Sequence, residues 1–181
     1  MASWPAVARR IRVPMGFALA AVYLWLARPT VAFIFCGFAF VAIGLIIRAL
    51  ASGHVQKNEQ LTTSGPYAHT RNPLYLGSLI LAVGFAVAGH SWWIGVAVIV
   101  LFVSIYLPVI HAEESFLRER FPAFDEYASR VPRLFPRLHF FGNTPGQFSW
   151  DLYWKHREYN ATLGSVAMLA ALMAKVLWFP K

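Results

Sequence analysis

Five long apolar runs, separated by shorter polar segments, set the pattern of this chain. A helix of about 20 apolar residues crosses a bilayer core about 30 Å thick, and flanking charged side chains shorten that requirement. The pattern therefore predicts an all-α fold, a polytopic membrane helical bundle of about five transmembrane helices. We place these helices at residues 13–27, 30–50, 74–89, 92–110 and 161–179.

The third and fourth apolar runs are separated only by His90 and Ser91. So short a connection predicts a tight antiparallel helical hairpin. The start of the third helix and the end of the fourth are then neighbours at one face of the membrane.

Two polar segments, residues 51–72 and 111–160, are too small to form independent domains. We predict a single domain over residues 1–181, with a motif-bearing core at about 54–136. The first segment contains a turn at Ser64-Gly65-Pro66-Tyr67, in which Gly65 can take a positive φ. The second predicts short interfacial helices on the cytoplasmic side, at about 112–120 and 124–129.

Composition and charge support a membrane location. The 181 residues are 58% hydrophobic and 13% charged, too apolar for one small soluble core. With a cytoplasmic N-terminus, five crossings leave only Arg28, Lys175 and Lys181 of the sixteen basic residues on the opposite side, together with the C-terminus. We therefore predict an integral protein of the cytoplasmic (inner) membrane. The net charge of +8 fits this topology and membrane lipids as partners, and gives no reason to invoke nucleic acid.

Isolated polar residues within the apolar runs have simpler interpretations. The single cysteine, Cys36, excludes an internal disulfide and a Cys/His zinc site, and is interpreted as a packing residue. Arg48 and Lys175 are interpreted as side chains that snorkel to the interface. No metal site and no protein partner are predicted.

Candidate chemistry concentrates where the hairpin ends meet. Asn72 before Pro73 predicts a helix N-cap followed by proline at the first helical position, and the exposed N–H groups there attract anions. Glu113 and Glu114 lie at the end of the partner helix, where two adjacent carboxylates need a cation. With Tyr75 they form a predicted pocket for a ligand that carries both an α-amino and an α-carboxylate group. The alternatives are a plain helix start, and ordinary interfacial acids paired with Arg118 or Arg120.

The ordered motifs resemble a known family. Gly65-Pro66-Tyr67, Arg71-Asn72-Pro73-Leu74-Tyr75-Leu76-Gly77, Glu113-Glu114 with Leu117 and Phe121, then Tyr127 and Val131-Pro132-Arg133, are similar to the isoprenylcysteine carboxyl methyltransferase and phospholipid methyltransferase superfamily. The resemblance implies an integral membrane methyltransferase that uses S-adenosyl-L-methionine on a lipophilic acceptor taken from the bilayer. It implies cofactor contacts from Gln56, Leu61, Thr62, Tyr67, Asn72, Pro73, Leu74, Tyr75, Glu113 and Glu114.

Methyl transfer needs no covalent enzyme intermediate, so no catalytic nucleophile is assigned. The family usually has histidine where this chain has Asn72. The isoprenylcysteine enzymes also carry an arginine one helical turn before the glutamate pair, where this chain has Val109. That difference favours a lipid amine, a thiol or another apolar nucleophile over an isoprenylcysteine-like carboxylate as acceptor.

Two other functions fit parts of the pattern. A membrane sterol-type reductase that binds a nicotinamide dinucleotide shares some of this architecture, but the chain offers no added sequence for a second nucleotide half. A non-enzymatic scaffold subunit would tolerate substitution of Glu113 and Asn72. A cofactor-binding screen separates these alternatives from a methyltransferase.

Overall fold

The computed structural model describes residues 19–56, 60–137 and 146–178, and every regular element within those ranges is helical. A 3₁₀ turn covers Gly65–Ala68 and a π-helical turn covers Phe102–Tyr106. The α-helices are α1 (residues 19–26), α2 (Val31–Ser52), α3 (Pro73–Gly89), α4 (Trp92–Leu101), α5 (Leu107–Arg120), α6 (Phe124–Arg130), α7 (Trp150–Lys155) and α8 (Tyr159–Trp178).

Three of the described helices are long and apolar enough to cross a membrane: α2, α8 and the continuous helix Trp92–Arg120, which joins α4, the π-helical turn and α5. The hairpin partner α3 is apolar but shorter, at 17 residues. Large side chains such as Phe35, Ile99 and Leu163 are exposed on these helices, as expected for surfaces that face lipid. The predicted all-helical membrane bundle is confirmed.

Two boundaries differ from the predictions. The first predicted span is seen only as α1, because residues 13–18 lie outside the described part of the chain. The predicted separate interfacial helix at 112–120 is wrong, because those residues continue the fourth membrane helix without a break as far as Arg120. The short helix predicted at 124–129 is confirmed as α6.

The π-helical turn has a local cause in Pro108. Proline has no N–H to donate to the carbonyl four residues earlier, so the regular ladder cannot continue there. Leu107 N–H instead donates to Phe102 O, and the Ser104 hydroxyl donates to Val100 O at 2.6 Å. Tyr106, the last residue of this turn, meets the Tyr75 ring edge to face.

Antiparallel helices α2 and α3 pack backbone to backbone through glycines. A Cβ atom added to Gly37 would lie 2.5 Å from Gly84 O, and one added to Gly44 would lie 2.7 Å from Gly77 O. Each helix carries its two glycines seven residues apart, which keeps them on one face over two helical turns. Small residues at such a crossing permit close van der Waals packing within lipid, where apolar burial alone gives no driving force.

Lys175 in α8 does not snorkel but binds the carboxyl end of α1. Its Nζ donates to Leu24 O at 2.5 Å and to Ala27 O at 2.8 Å, two carbonyls without helical partners. Tyr23 adds a hydrogen bond from its hydroxyl to Phe85 O at 2.8 Å. These bonds attach α1 to α8 and α3. Cys36, interpreted above as packing, is exposed on α2.

Candidate functional site

One end of the bundle, here called the polar end, holds the end of α2, the start of α3, the end of α5 and the start of α8. The 3₁₀ turn before α3 begins with Gly65 at a φ of 59°, the left-handed value predicted for this turn. The Asn72 Nδ2 amide donates to Glu114 Oε1 at 2.9 Å, so the start of α3 does meet the end of α5. The predicted convergence of the two hairpin ends is confirmed.

Asn72 occupies the N-cap position and Pro73 the first position of α3, as predicted. The Asn72 side chain nevertheless forms no capping hydrogen bond, because its amide donates to Glu114 and to Arg133 O at 3.0 Å. The Asn72 side chain therefore does not cap the N–H groups of Leu74 and Tyr75 at the polar end.

Glu114 is buried, and both of its carboxylate oxygens accept hydrogen bonds from other residues of this chain. Arg71 donates to it from Nε at 3.1 Å and from Nη2 at 3.3 Å, Arg133 donates from Nε at 3.0 Å, and Asn72 adds a fourth hydrogen bond. Arg133 is in turn held by His111, whose Nε2 accepts from Nη1 at 2.8 Å. The alternative of pairing with Arg118 or Arg120 is wrong for Glu114. Its network instead ties α3, α5 and the segment after α6 together.

Glu113 is exposed and forms no ion pair with any residue in the described ranges. The Tyr75 hydroxyl lies close to its carboxylate. The Tyr75 ring meets Tyr106 edge to face, with ring centroids 5.9 Å apart. The two adjacent carboxylates are therefore different: Glu114 is neutralised within the protein, whereas Glu113 remains available to a cation from outside.

Tyr67 lies buried beneath this cluster, and its carbonyl accepts the Tyr127 hydroxyl at 2.7 Å. Burial raises the pKa of Tyr67 far above its ordinary value, and the nearby Tyr127 and Glu113 raise it further. Burial likewise raises the pKa of Tyr127, an effect that the Arg71 charge partly offsets. Both phenols are therefore hydrogen-bond donors at neutral pH.

The remaining predicted cofactor residues lie in the loop before the 3₁₀ turn. The Gln56 N–H donates to Thr62 Oγ1 at 3.2 Å, a hydrogen bond that joins two residues of this loop six positions apart. Leu61 packs against the buried cluster of Phe124, Tyr127 and Val131. The structure thus brings Asn72, Tyr75, Glu113 and Glu114 together directly and connects the loop to them through α6.

A cavity of about 520 Å³ lies next to this site, between α1, α2, α3, α4 and α8, and none of the predicted cofactor residues lines it. Tyr106 forms part of its wall, so the cavity and the Tyr75–Glu113 pair share that ring. Arg48, also in the wall, is not a snorkelling side chain: its Nε donates to Glu158 Oε1 at 2.6 Å and its Nη1 to Ser78 Oγ.

The sequence did not reveal the cavity, the two arginines that pair with Glu114, or the ring contact between Tyr106 and Tyr75. Pro108 was the available signal for Tyr106, because an internal proline predicts a disturbed helix there. Arg71 begins the motif at residues 71–77, but its partner Glu114 lies 43 residues later in the sequence. Across the described ranges, no three His, Cys, Asp or Glu side chains are grouped so that they could hold a metal ion.

Comparisons with known proteins place the chain in a family. The chain matches the phospholipid methyltransferase family over residues 16–123, more than half its length. It is 37% identical over 98 residues to the cobalt-zinc-cadmium resistance protein CzcN of Cupriavidus metallidurans, an alignment that covers 54% of this chain and 44% of that protein. It is also 37% identical over 86 residues to the nickel-cobalt-cadmium resistance protein NccN of Alcaligenes xylosoxydans xylosoxydans, covering 48% and 40%.

The chain thus spans less than half the length of these two relatives. No solved structure matches it. The family match contains the start of α3 and both glutamates, which are the elements that build the site. This chain belongs to the phospholipid methyltransferase family of integral membrane proteins.

Proposed function

We propose that the protein transfers a methyl group from S-adenosyl-L-methionine to a lipophilic acceptor held in the membrane. The observation that carries this proposal is the unequal state of Glu113 and Glu114. The buried carboxylate of Glu114 is paired with two arginines and fixes the end of α5, whereas its exposed neighbour Glu113 has no cationic partner among the residues that the structure describes. Such a carboxylate suits the ammonium group of an amino-acid-like ligand.

The other groups at the polar end fit the rest of this cofactor. The uncapped N–H groups of Leu74 and Tyr75 suit a carboxylate, because a helix start carries partial positive charge. The faces of Tyr75 and Tyr106 suit a sulfonium by cation–π attraction. Leu61, which is only partly buried, offers apolar surface for the adenine ring.

When bound, S-adenosyl-L-methionine supplies an electrophilic methyl group on a positively charged sulfur. The protein contributes position and environment. Glu113 and the start of α3 hold the two charged ends of the amino-acid moiety, and Tyr106, whose ring contacts Tyr75, also lines the neighbouring cavity. Holding two reactants in line and away from water supplies much of the rate enhancement in such a transfer. No side chain is assigned as nucleophile.

We further propose that the polar end faces the cytoplasm of an inner membrane, with the N-terminus on that side and the C-terminus opposite. The acceptor is either a lipid amine or an isoprenylcysteine-like carboxylate. Val109 leaves the turn before Glu113 without an arginine, and Arg48 is already neutralised by Glu158. These two observations favour the amine.

Calorimetry with S-adenosylhomocysteine on the detergent-solubilised full chain tests the proposal. We expect saturable binding, weakened at least tenfold in Glu113→Gln because one charge-assisted hydrogen bond contributes about 1.5–3 kcal/mol. Glu119→Gln is the matched control, since Glu119 is an exposed carboxylate on the same helix. A folded wild-type protein without any binding contradicts the proposal, and binding of a nicotinamide dinucleotide instead supports the reductase alternative.

A further inference from the structure

His111 is an exposed residue of α5 that lies just before Glu113 and Glu114 in the chain. Its ring makes two polar contacts: Nδ1 lies 2.7 Å from Leu107 O, and Nε2 lies 2.8 Å from Arg133 Nη1. A carbonyl oxygen can only accept a hydrogen bond, and a guanidinium can only donate one. Nδ1 therefore carries the proton and Nε2 offers its lone pair. Both contacts are hydrogen bonds only when the imidazole is neutral.

Arg133 joins the two halves of the proposed donor site. Its Nε donates to Glu114 Oε2 at 3.0 Å, at the end of α5. Its carbonyl oxygen accepts from Asn72 Nδ2 at 3.0 Å and from Thr70 Oγ1 at 3.2 Å, at the start of α3. The proposed ammonium ligand, Glu113, lies beside the first of these contacts, and the N–H groups of α3 lie beside the second. Arg133 thus connects the groups that would bind opposite ends of the donor.

The charges around His111 favour the neutral ring. Arg133 comes from the segment after α6 and Arg71 from the segment before α3, and both guanidiniums contact the single carboxylate of Glu114 on α5. A proton on Nε2 would remove the acceptor for Arg133 Nη1 and set a positive charge against the guanidinium, and Glu113 would be the nearby anion left to offset it. The Arg133 side chain is 40% exposed, against 12% for Arg71, so Arg133 is the group that can turn to water.

We propose that His111 is a positioning residue for donor binding and acts through Arg133. The neutral ring holds the Arg133 guanidinium on Glu114. When Nε2 takes a proton from water, the imidazolium repels this guanidinium, and the end of α5 loses one of its links to the start of α3. Histidine is the side chain that ordinarily changes charge between about pH 5 and pH 8, so donor binding should weaken as the pH falls through this range. The inference rests on the proposed methyltransferase function.

Four variants test this role. His111→Gln supplies an oxygen that can accept from Arg133 and that takes up no proton in this range. His111→Lys keeps a positive charge throughout and so imitates the protonated ring. Arg133→Gln removes the group through which His111 acts. His90→Asn is the control, because His90 follows α3 at the opposite end of the bundle and asparagine tolerates its φ of 44°.

The measurement is calorimetry with S-adenosylhomocysteine on the detergent-solubilised full chain from about pH 8 to about pH 5.5, with circular dichroism to check that each variant is folded. We expect wild type and His90→Asn to lose affinity about fivefold or more over this range, the size of one net hydrogen bond. His111→Gln should match wild type at the upper pH and keep that affinity at the lower. His111→Lys should bind weakly at both, and Arg133→Gln should show no dependence on pH.

Three results would overturn the inference while leaving the proposed function standing. The first is a wild-type affinity that stays constant over the pH range. The second is a pH profile of His111→Gln as steep as that of wild type, and the third is an equally steep profile in folded Arg133→Gln. Absence of S-adenosylhomocysteine binding by folded wild type at every pH refutes the proposed function and with it the role of His111.

Discussion

Glu113 and Glu114 are chemically identical neighbours, yet the structure predicts opposite consequences for their replacement by glutamine. Glu114→Gln removes the charge that neutralises Arg71, whose side chain is only 12% exposed. Removal of one partner from a buried ion pair costs about 3–5 kcal/mol, because the other charge is left buried without compensation. Arg133 is 40% exposed and can turn to water, so we take the lower end, about 3 kcal/mol.

The expected result is a loss of stability without a direct loss of ligand contact. For a chain of this size, about 3 kcal/mol corresponds to a fall in Tm of roughly 6–12 °C. Glu113→Gln should change Tm very little, because exposed substitutions usually remain within about 0.5 kcal/mol. It should instead weaken S-adenosylhomocysteine binding at least tenfold.

The assay is thermal unfolding of the two variants in one detergent, followed by circular dichroism, with calorimetry at a temperature where both are folded. Equal falls in Tm would refute the assignment of Glu114 as the structural carboxylate and Glu113 as the ligand carboxylate. Weaker ligand binding in folded Glu114→Gln, with Glu113→Gln unaffected, would reverse the two roles.

Three further predictions concern packing, helix docking and pH. Gly77→Leu should disrupt the α2–α3 pair, since a Cβ there already meets the Gly44 carbonyl at 2.8 Å; loss of the folded fraction in size-exclusion chromatography tests this, and wild-type behaviour contradicts it. Lys175→Met should cost about 1–3 kcal/mol and speed hydrogen exchange in residues 19–26, because two carbonyls lose their donor; unchanged exchange contradicts this. Folding raises the pKa of Tyr67 and Tyr127 above the unfolded value of about 10. The stability that these two phenols contribute is therefore complete below pH 10 and is lost as the pH rises through their folded pKa. The Tm should fall above pH 10, and a constant Tm contradicts this.

Much of the architecture was predictable because it follows from local rules. Apolar length predicts the membrane helices, and the two-residue connection at His90 and Ser91 predicts the hairpin. Gly65 before proline predicts the turn, and Pro73 after Asn72 predicts the start of α3. The meeting of α3 and α5 then follows from the hairpin alone, without knowledge of any side-chain contact.

What could not be predicted depends on distant partners. Arg48 pairs with Glu158 across 110 residues, and no local pattern distinguishes that arginine from one that snorkels. Lys175 binds carbonyls about 150 residues earlier for the same reason. The Asn72 side chain donates to Glu114 and does not cap α3, and this contact likewise depends on where α5 ends. The error at 112–120 arose because polar residues were taken to end a membrane helix that continues beyond the apolar region.

We propose above that the polar end of the hairpin binds a methyl donor and delivers its methyl group to a membrane acceptor. The most direct measurement incubates the purified full chain, reconstituted in vesicles of a bacterial total lipid extract, with methyl-tritiated S-adenosylmethionine and follows label into the lipid phase. We expect labelled lipid with wild type and Glu119→Gln, and at least tenfold less with Glu113→Gln at subsaturating donor. Folded wild-type protein that transfers no label, or equal labelling by Glu113→Gln, would contradict it.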